Sequence, residues 1–475
     1  MSTETAAPAR DDIPARAVLR RSNWFGAFWR WHFYGSLIVI PVLLTLAVTG
    51  LIYLFRAQVD AVMHPGVLQV EVPAGQERLP LSAQEEAVVT EFPEWTVLSV
   101  QDSLAGRATV FHMDAAGESR NVYVDPYSAE ITGDLAPSDL LSDWAVTTHG
   151  TLMSGTWGER IIELGACWAI VLAITGFILF FKGRAARAKA RRARTRGART
   201  RWMHAWVGAG LGVGILFLVV SGLPWTSVWG SKAQELATKG ETSLWSDDHG
   251  AESTLGEQIE ASHGSSASAG WTIAEAETAE SAAAVGTSVS VDTATAAARA
   301  EGALEPYLVM YPADETGVYS VMATMWYNAG NPSENDPSLE KVVHVDQYSG
   351  EVAATYGYDD YSLAAKAVAQ GIAGHEGRRF GELNTVITTA FCLGIIFMCV
   401  SGPVMWWKRR GYARGTTGAP KAKLPVLTNW VTALIVVALG LFLPLFGLSV
   451  IALLLIDQLL IRRVPALKRF FASAD

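Results

Sequence analysis

Four histidines stand in two matched pairs along this 475-residue chain, and imidazole is a side chain that can ligate a metal while neutral near physiological pH. His32 lies in Arg30-Trp31-His32 at the head of one apolar run, and His204 in Arg201-Trp202-Met203-His204 at the head of another. Each is followed 18 residues on by a glycine, Gly50 or Gly222, preceded by a hydroxyl residue, Thr49 or Ser221. His149 and His375 are likewise followed 27 residues on by Gly176 and Gly402, behind Thr175 and Ser401. Histidines on facing helices of a bundle can hold one metal from opposite sides. A polar residue near a membrane span is a functional candidate by default.

The elements that must position them are membrane helices. Half of the residues are hydrophobic, 17% are charged and the mean hydropathy is +0.23, so apolar spans and polar domains must both be present. Four runs near Gly35 to Phe55, Ile161 to Phe181, Trp206 to Trp229 and Leu383 to Trp407 are long enough to cross a hydrocarbon core of roughly 30 Å. The apolar segment 426–463, with Pro444 and Gly447 inside it, reads as a helical hairpin or two short spans. Basic residues cluster before the first span, from Lys182 to Arg201, after the fourth span and at the C-terminus, which predicts those loops to be cytoplasmic. The segments between hold 40 of the 46 acidic residues and face outward.

The expected order is a cytoplasmic tail (1–22), helix 1 (23–56), an outer module (57–158), helix 2 (159–182), a basic loop (183–204) and helix 3 (205–229). A second outer module with an Ala/Ser-rich insertion (230–382), helix 4 (383–407), a basic loop (408–425), the hairpin (426–463) and a cytoplasmic tail (464–475) complete it. The first run starts late and lacks a small-residue cleavage pattern, so an anchor is expected in place of a signal peptide. Cys167, Cys392 and Cys399 all fall in spans, which disfavours disulfides and covalent c-type haem.

Each outer segment carries a strand-turn-strand signal with Val-Asp-x-Tyr-Ser-x-Glu, at Val124 to Glu130 and Val345 to Glu351. With the paired spans, this makes two copies of a helix, module, helix unit. Asp125 and Asp346 read as turn residues, not a catalytic dyad. The glycines from Gly208 to Gly214 lack the spacing of a nucleotide loop and suit close helix packing.

Ser221-Gly222-Leu223-Pro224-Trp225, the Arg-Trp-x-His entry and the paired hairpins resemble the PepSY-associated transmembrane proteins, which include iron-regulated membrane proteins and siderophore reductases. The resemblance spans roughly Arg30 to Lys408. It implies an α-helical integral membrane protein with duplicated helix-PepSY-helix units forming a four-helix core, one or two C-terminal membrane helices and two small α+β outer modules. For the reductase branch it implies b-type haem held by histidines between the helices; matched depth in the two repeats then pairs His32 with His204 and His149 with His375 as axial ligands, one haem per membrane face. Arg30 and Arg201 then become candidate propionate contacts. Ligation competes with blander readings, an interfacial anchor for His32 and His204 and a surface loop for His149 and His375. His64 is a competing outer ligand without a counterpart in the second repeat, and His112, His249, His263 and His344 are weaker.

The implied activity is outward electron transfer in the cytoplasmic (inner) membrane, reducing ferric chelates for iron uptake. A quinol or a separate cytoplasmic reductase must donate, since the short basic loops hold no flavin or nicotinamide fold. Lipid is an expected partner and nucleic acid is not. The alternatives are a non-redox PepSY protein that binds or regulates an envelope peptidase or other partner, and direct transport of an iron chelate.

Overall fold

The computed structural model describes residues 24–102, 104, 106–194, 197–230, 232, 279–281, 286–323, 336–361, 363–410, 417 and 430–471. His249, His263, the tail 1–22, most of the loop 408–425 and the insertion up to residue 278 lie outside the described residues.

Four long helices form the membrane bundle: α1 (Trp24–Leu54), α5 (Gly155–Arg192), α6 (Ala198–Gly222) and α9 (Gly381–Arg410). A fifth apolar helix, α11 (Pro444–Ile456), continues as one π-helical turn to Ile461 and is also long enough to cross a membrane. The chain is a multi-pass membrane protein. Helix α10 (Trp430–Phe442) precedes α11 in a tight hairpin, where the Gly440 and Gly447 backbones meet so closely that a Cβ on either would lie within 3.0 Å of the other. The hairpin docks through Phe446 and Ser449 on Trp168 of α5, with an edge-on ring contact at 5.3 Å and a bond from Trp168 Nε1 to the serine hydroxyl.

The bundle is closed by small residues. A Cβ at Gly212 would sit 2.5 Å from Phe177 and one at Gly214 2.5 Å from Phe391, so these glycines serve helix contact, as their place inside a span predicts. Helix α5 runs on to Arg192, well into the segment read as a loop from residue 183, because its Ala, Arg and Lys residues are strong helix formers. It stops where Arg194 and Gly197 take positive φ. The segment read as a free tail from residue 464 instead forms α12 (Pro465–Phe470), whose end is tied to the bundle.

The polar segments build one eight-stranded antiparallel sheet in the order β4-β3-β2-β1-β5-β6-β7-β8. Its strands are β1 (Thr96–Gln101), β2 (Thr109–Ala115), β3 (Glu118–Val124), β4 (Ile131–Leu135), β5 (Tyr307–Met310), β6 (Val318–Ala323), β7 (Lys341–Asp346) and β8 (Val352–Gly357). Two separate modules were expected, but β1 pairs with β5, Val100 opposite Val309, so each four-stranded half covers an edge of the other. Helices α3 (Leu81–Glu91) and α7 (Val291–Ala300) pack Val88, Ala294 and Ala298 on one face. Asp292 of α7 accepts from the first amides of α3, Leu81 and Ser82, which locks the halves together. In both hairpins the aspartate makes the turn, Asp125 accepting from the Tyr127 amide and Asp346 from the Tyr348 amide, each at 2.8 Å.

Between sheet and bundle lie α2 (Arg56–Met63), α4 (Leu141–Thr151) and α8 (Leu363–His375). The last two carry His149 and His375, each one turn or less from its C-terminus.

Candidate functional site

His149 is on a helix that folds back, not on a loop. Leu152, Met153 and Gly155 take positive φ in quick succession, a conformation costly for the two side-chain-bearing residues, and the reversal lets α4 lie beside α1. Gly158 makes the approach possible, since a Cβ there would fall 1.5 Å from the Thr151 carbonyl oxygen. The analogous reversal after α8 uses Gly377 and Gly381 at positive φ. A continuous helix would have left His149 roughly 40 Å from Gly176; the turn brings it down into the bundle.

All four histidines are held the same way. His32 Nδ1 lies 3.1 Å from the Thr175 hydroxyl, His149 Nδ1 2.9 Å from Thr49, His204 Nδ1 2.8 Å from Ser401 and His375 Nδ1 2.9 Å from Ser221. Each hydroxyl already donates its proton to a carbonyl of its own helix: Thr175 to Val171, Thr49 to Thr45, Ser221 to Phe217 and Ser401 to Met398. The hydroxyl can therefore only accept, and Nδ1 must carry the imidazole proton. Nε2 is left with its lone pair, and among the described residues it has no hydrogen-bond partner in any of the four. A fixed Nδ1–H tautomer with a bare Nε2 is the form in which histidine ligates a metal.

The glycine beside three of the four hydroxyls makes room for the ring. A Cβ at Gly222 would come within 3.2 Å of His375 Cε1, one at Gly176 within 3.3 Å of His32 Cε1 and one at Gly50 within 3.6 Å of His149 Cε1. Gly402 differs, facing Ile40 at 3.8 Å.

His149 and His375 come together, with ring centroids 6.3 Å apart and planes at 89°. Two imidazoles bonded to one metal at about 2 Å each, with ring centres roughly 1 Å behind the bonding nitrogens, stand roughly 6 Å apart. His32 and His204 are electrostatic neighbours toward the other end of the bundle. Among the described residues no group of three or more His, Cys, Asp or Glu side chains gathers around a metal position. Two imidazoles without further protein ligands suit a metal that brings its equatorial donors with it, and haem fits that donor set.

A cavity of about 650 Å³ includes His149 and His375 in its walls. Leu43, Ala47, Ile215, Val219 and Cys392 make its apolar part, with Gly50 and Gly222 beside the imidazoles. Trp225 stands edge-on to His375 at 6.2 Å.

Residues 29–409 match the family model described as the PepSY-associated TM region. The chain belongs to this family. No curated protein matches it.

The other candidate residues of this PepSY-associated chain have contacts of their own. His64 ends α2, where its Nε2 meets the Asp139 carbonyl at 3.3 Å, and it does not line the cavity. Arg30 is buried and donates to the Phe471 carbonyl at 3.0 Å, with its guanidinium 5.1 Å from the Tyr34 ring centre, so it anchors the end of α12. Arg201 is exposed near the start of α6. His112 bonds Asn121 at 2.7 Å and burial pushes it down to about 4, so it is neutral at physiological pH. His344 is fully buried between Ser320 and Tyr356 within the sheet.

One polar cluster escaped the sequence reading. At the sheet end of the cavity Arg378 bonds Glu376 at 2.7 Å and Glu340 at 3.5 Å, all three being buried or nearly so. Only the position of Glu376 beside His375 marked it in sequence. Burial pushes the Glu340 carboxyl from its ordinary value of 4.5 up to about 7, with Arg378 pulling the other way. Because the folded chain holds this proton more tightly than the unfolded chain, the contribution to stability is full below about pH 4.5 and is lost as pH rises through about 7. The melting temperature should therefore carry a downward component from about pH 5 to 7 that Glu340→Gln removes; an identical pH profile for that variant would contradict the assignment.

Proposed function

We propose that the chain is a di-haem b membrane oxidoreductase that passes electrons from the cytoplasmic side or the quinol pool outward to ferric iron chelates. In this reading the N-terminus lies inside, the sheet lies outside the cytoplasmic membrane, and the protein serves iron uptake as a siderophore-reductase-like enzyme. The observation that carries it is the set of four bare Nε2 atoms, each fixed by an Nδ1 bond to a hydroxyl on a facing helix.

Bound haem supplies a reversible one-electron carrier at each imidazole pair. His149 and His375 hold the sheet-side group, and His32 and His204 the group at the opposite end. Thr49 lies 17 positions beyond His32 on α1, roughly 25 Å of helix, so the two pairs divide the bundle between them. Leu43, Ala47, Ile215 and Val219 give the cavity an apolar wall, and Trp225 stands edge-on to His375. The helix-module-helix duplication gives each end the same construction: α1 and α5 with α4 exchange His32–Thr175 for His149–Thr49, and α6 and α9 with α8 exchange His204–Ser401 for His375–Ser221. Each ferric ion takes one electron to become ferrous, which ferric-selective chelators hold weakly.

A reduced-minus-oxidised spectrum of the protein purified from haem-replete cells tests the reading. A b-type signal that reoxidises on adding a ferric chelate is the expected result. A colourless, fully folded protein would sink it.

The hydroxyls have a separate test. Thr49→Val and Ser221→Ala remove the acceptor that fixes the tautomer, and loss of such an outer partner typically weakens metal binding by about 10- to 100-fold. Haem transfer to apomyoglobin from these two variants should accelerate accordingly, while Thr45→Val, on the same helix, should leave the rate unchanged.

A further inference from the structure

We propose that the basic ends of α5 and α6 form a docking surface for a soluble, acidic one-electron carrier protein, which delivers electrons to the His32 and His204 end of the bundle. The inference rests on the haem reading above and names the kind of partner that its cytoplasmic side takes.

Helix α5 is longer than a membrane span requires. Its apolar stretch, residues 161–181, already covers roughly 31 Å, the thickness of the hydrocarbon core. The helix nevertheless continues from Lys182 to Arg192, roughly 16 Å beyond that stretch. The headgroup layer on one side is only about 5–8 Å deep, so the last turn of α5 stands clear of lipid.

Charge follows the same line. The stretch from Lys182 to Arg201 holds ten Lys and Arg and no Asp or Glu. Asp457, an acid at the same end of the bundle, is buried and already bonded to Arg462 at 2.8 Å. Two of the cations hold α5 to α6 and to itself: Arg191 lies over the Trp202 ring, 4.6 Å from its centre, and Arg187 lies over Phe180 at 5.0 Å and donates to the Leu179 carbonyl at 3.1 Å. Lys182, Lys189 and Arg192, seven and three residues apart, fall on the opposite face of the helix. All three are exposed, as are Arg194 and Arg199. This surface runs toward the inner histidines, since Arg199 and His204 are separated by roughly 7.5 Å of α6.

The chemistry of the partner follows from where the cations stand. A quinol is uncharged and dissolves in the hydrocarbon, so it gains nothing from them. Anionic headgroups reach the first turn after Phe181 and not the last. An acidic protein in water meets the whole surface, and opposed charges of this kind raise encounter rates by about 10- to 1,000-fold. On contact the reduced carrier gives up one electron, the ferric centre at His32 and His204 takes it, and no bond or proton changes hands.

The test uses the full-length protein in phosphatidylcholine nanodiscs, which leave both faces open, so that a reversed insertion cannot hide the surface. A quadruple variant, Lys189→Gln, Arg192→Gln, Arg194→Gln and Arg199→Gln, is compared with wild type and with Lys189→Arg, which keeps the charge. Reduced flavodoxin, an acidic one-electron donor, is the probe, read by stopped-flow haem reduction and by interferometric binding. Wild type is reduced at a rate that falls steeply as salt rises. The quadruple variant reacts about tenfold more slowly at low salt and loses most of the salt dependence, at equal haem content, while Lys189→Arg matches wild type. Equal rates and equal binding in wild type and the quadruple variant overturn the proposal, as does flavodoxin that binds wild type without reducing it. So does a quadruple variant that keeps the flavodoxin rate and loses only its affinity for phosphatidylglycerol, which makes the surface a lipid contact. A colourless wild type overturns the haem reading instead, and interferometry then decides the docking surface alone, with absent or charge-independent flavodoxin binding counting against it.

Discussion

On the di-haem proposal, replacing His375 with alanine is expected to lower the haem content from two per chain to one, and His149→Ala to do the same, with no further loss in the double variant. The expectation follows from geometry: these two imidazoles face one another at 6.3 Å, while His32 and His204 are bonded to different hydroxyls elsewhere in the bundle. On the haem proposal, either variant removes one of the two imidazoles that would hold the sheet-side group in its cavity. Pyridine haemochrome absorbance per protein measures the stoichiometry. His64→Ala, at the end of α2, should leave it at two, and a His64 variant that loses one haem would reassign the ligand. A His375→Ala, His204→Ala double variant that still keeps one haem would refute the pairing.

The second large effect is on stability. Arg378→Met leaves Glu340 and Glu376 buried beside each other without their cation, and removal of one partner from a buried ionic cluster costs about 3–5 kcal/mol. Both carboxylates have further donors, Tyr53 to Glu376 at 3.2 Å and Tyr361 to Glu340 at 3.5 Å, but neither neutralises a charge. The melting temperature in detergent should drop sharply. At pH 8, above the value of about 7 at which Glu340 ionises beside Arg378, Glu340→Gln in the Arg378→Met background should recover part of the drop, because an amide needs neither a counter-charge nor a bound proton. A melting temperature close to wild type for Arg378→Met would mean the cluster is solvated and is not holding α8 to the sheet.

Much of the site was legible because membrane proteins write polar residues sparingly. The four histidines and the four hydroxyl-glycine pairs stand out against apolar runs, and their equal offsets within each pair of spans announce a common construction. The glycines of α6 were readable as helix contacts for the same reason. Less legible was the polar half. Glu340 and Arg378 are separated by 38 residues of chain and belong to different elements, so no spacing rule joins them. Arg30 also donates one guanidinium N–H to the Phe471 carbonyl, a contact that depends on a C-terminal helix read as a tail.

The sequence by itself determined the membrane helices, the histidine pairs and the aspartate turns, because length, hydropathy and local turn chemistry act over a few residues. Only the tertiary structure decided that the two polar segments fuse into one sheet, since edge pairing between β1 and β5 joins strands some 200 residues apart. It also decided which hydroxyl serves which histidine. The equal offsets tie His32 to Gly50 and His149 to Gly176 along the chain, whereas in space His32 meets Thr175 and His149 meets Thr49. The antiparallel packing of α1 and α5, together with the reversal at Leu152 and Met153, crosses the partners over, and a linear spacing carries no record of that crossing.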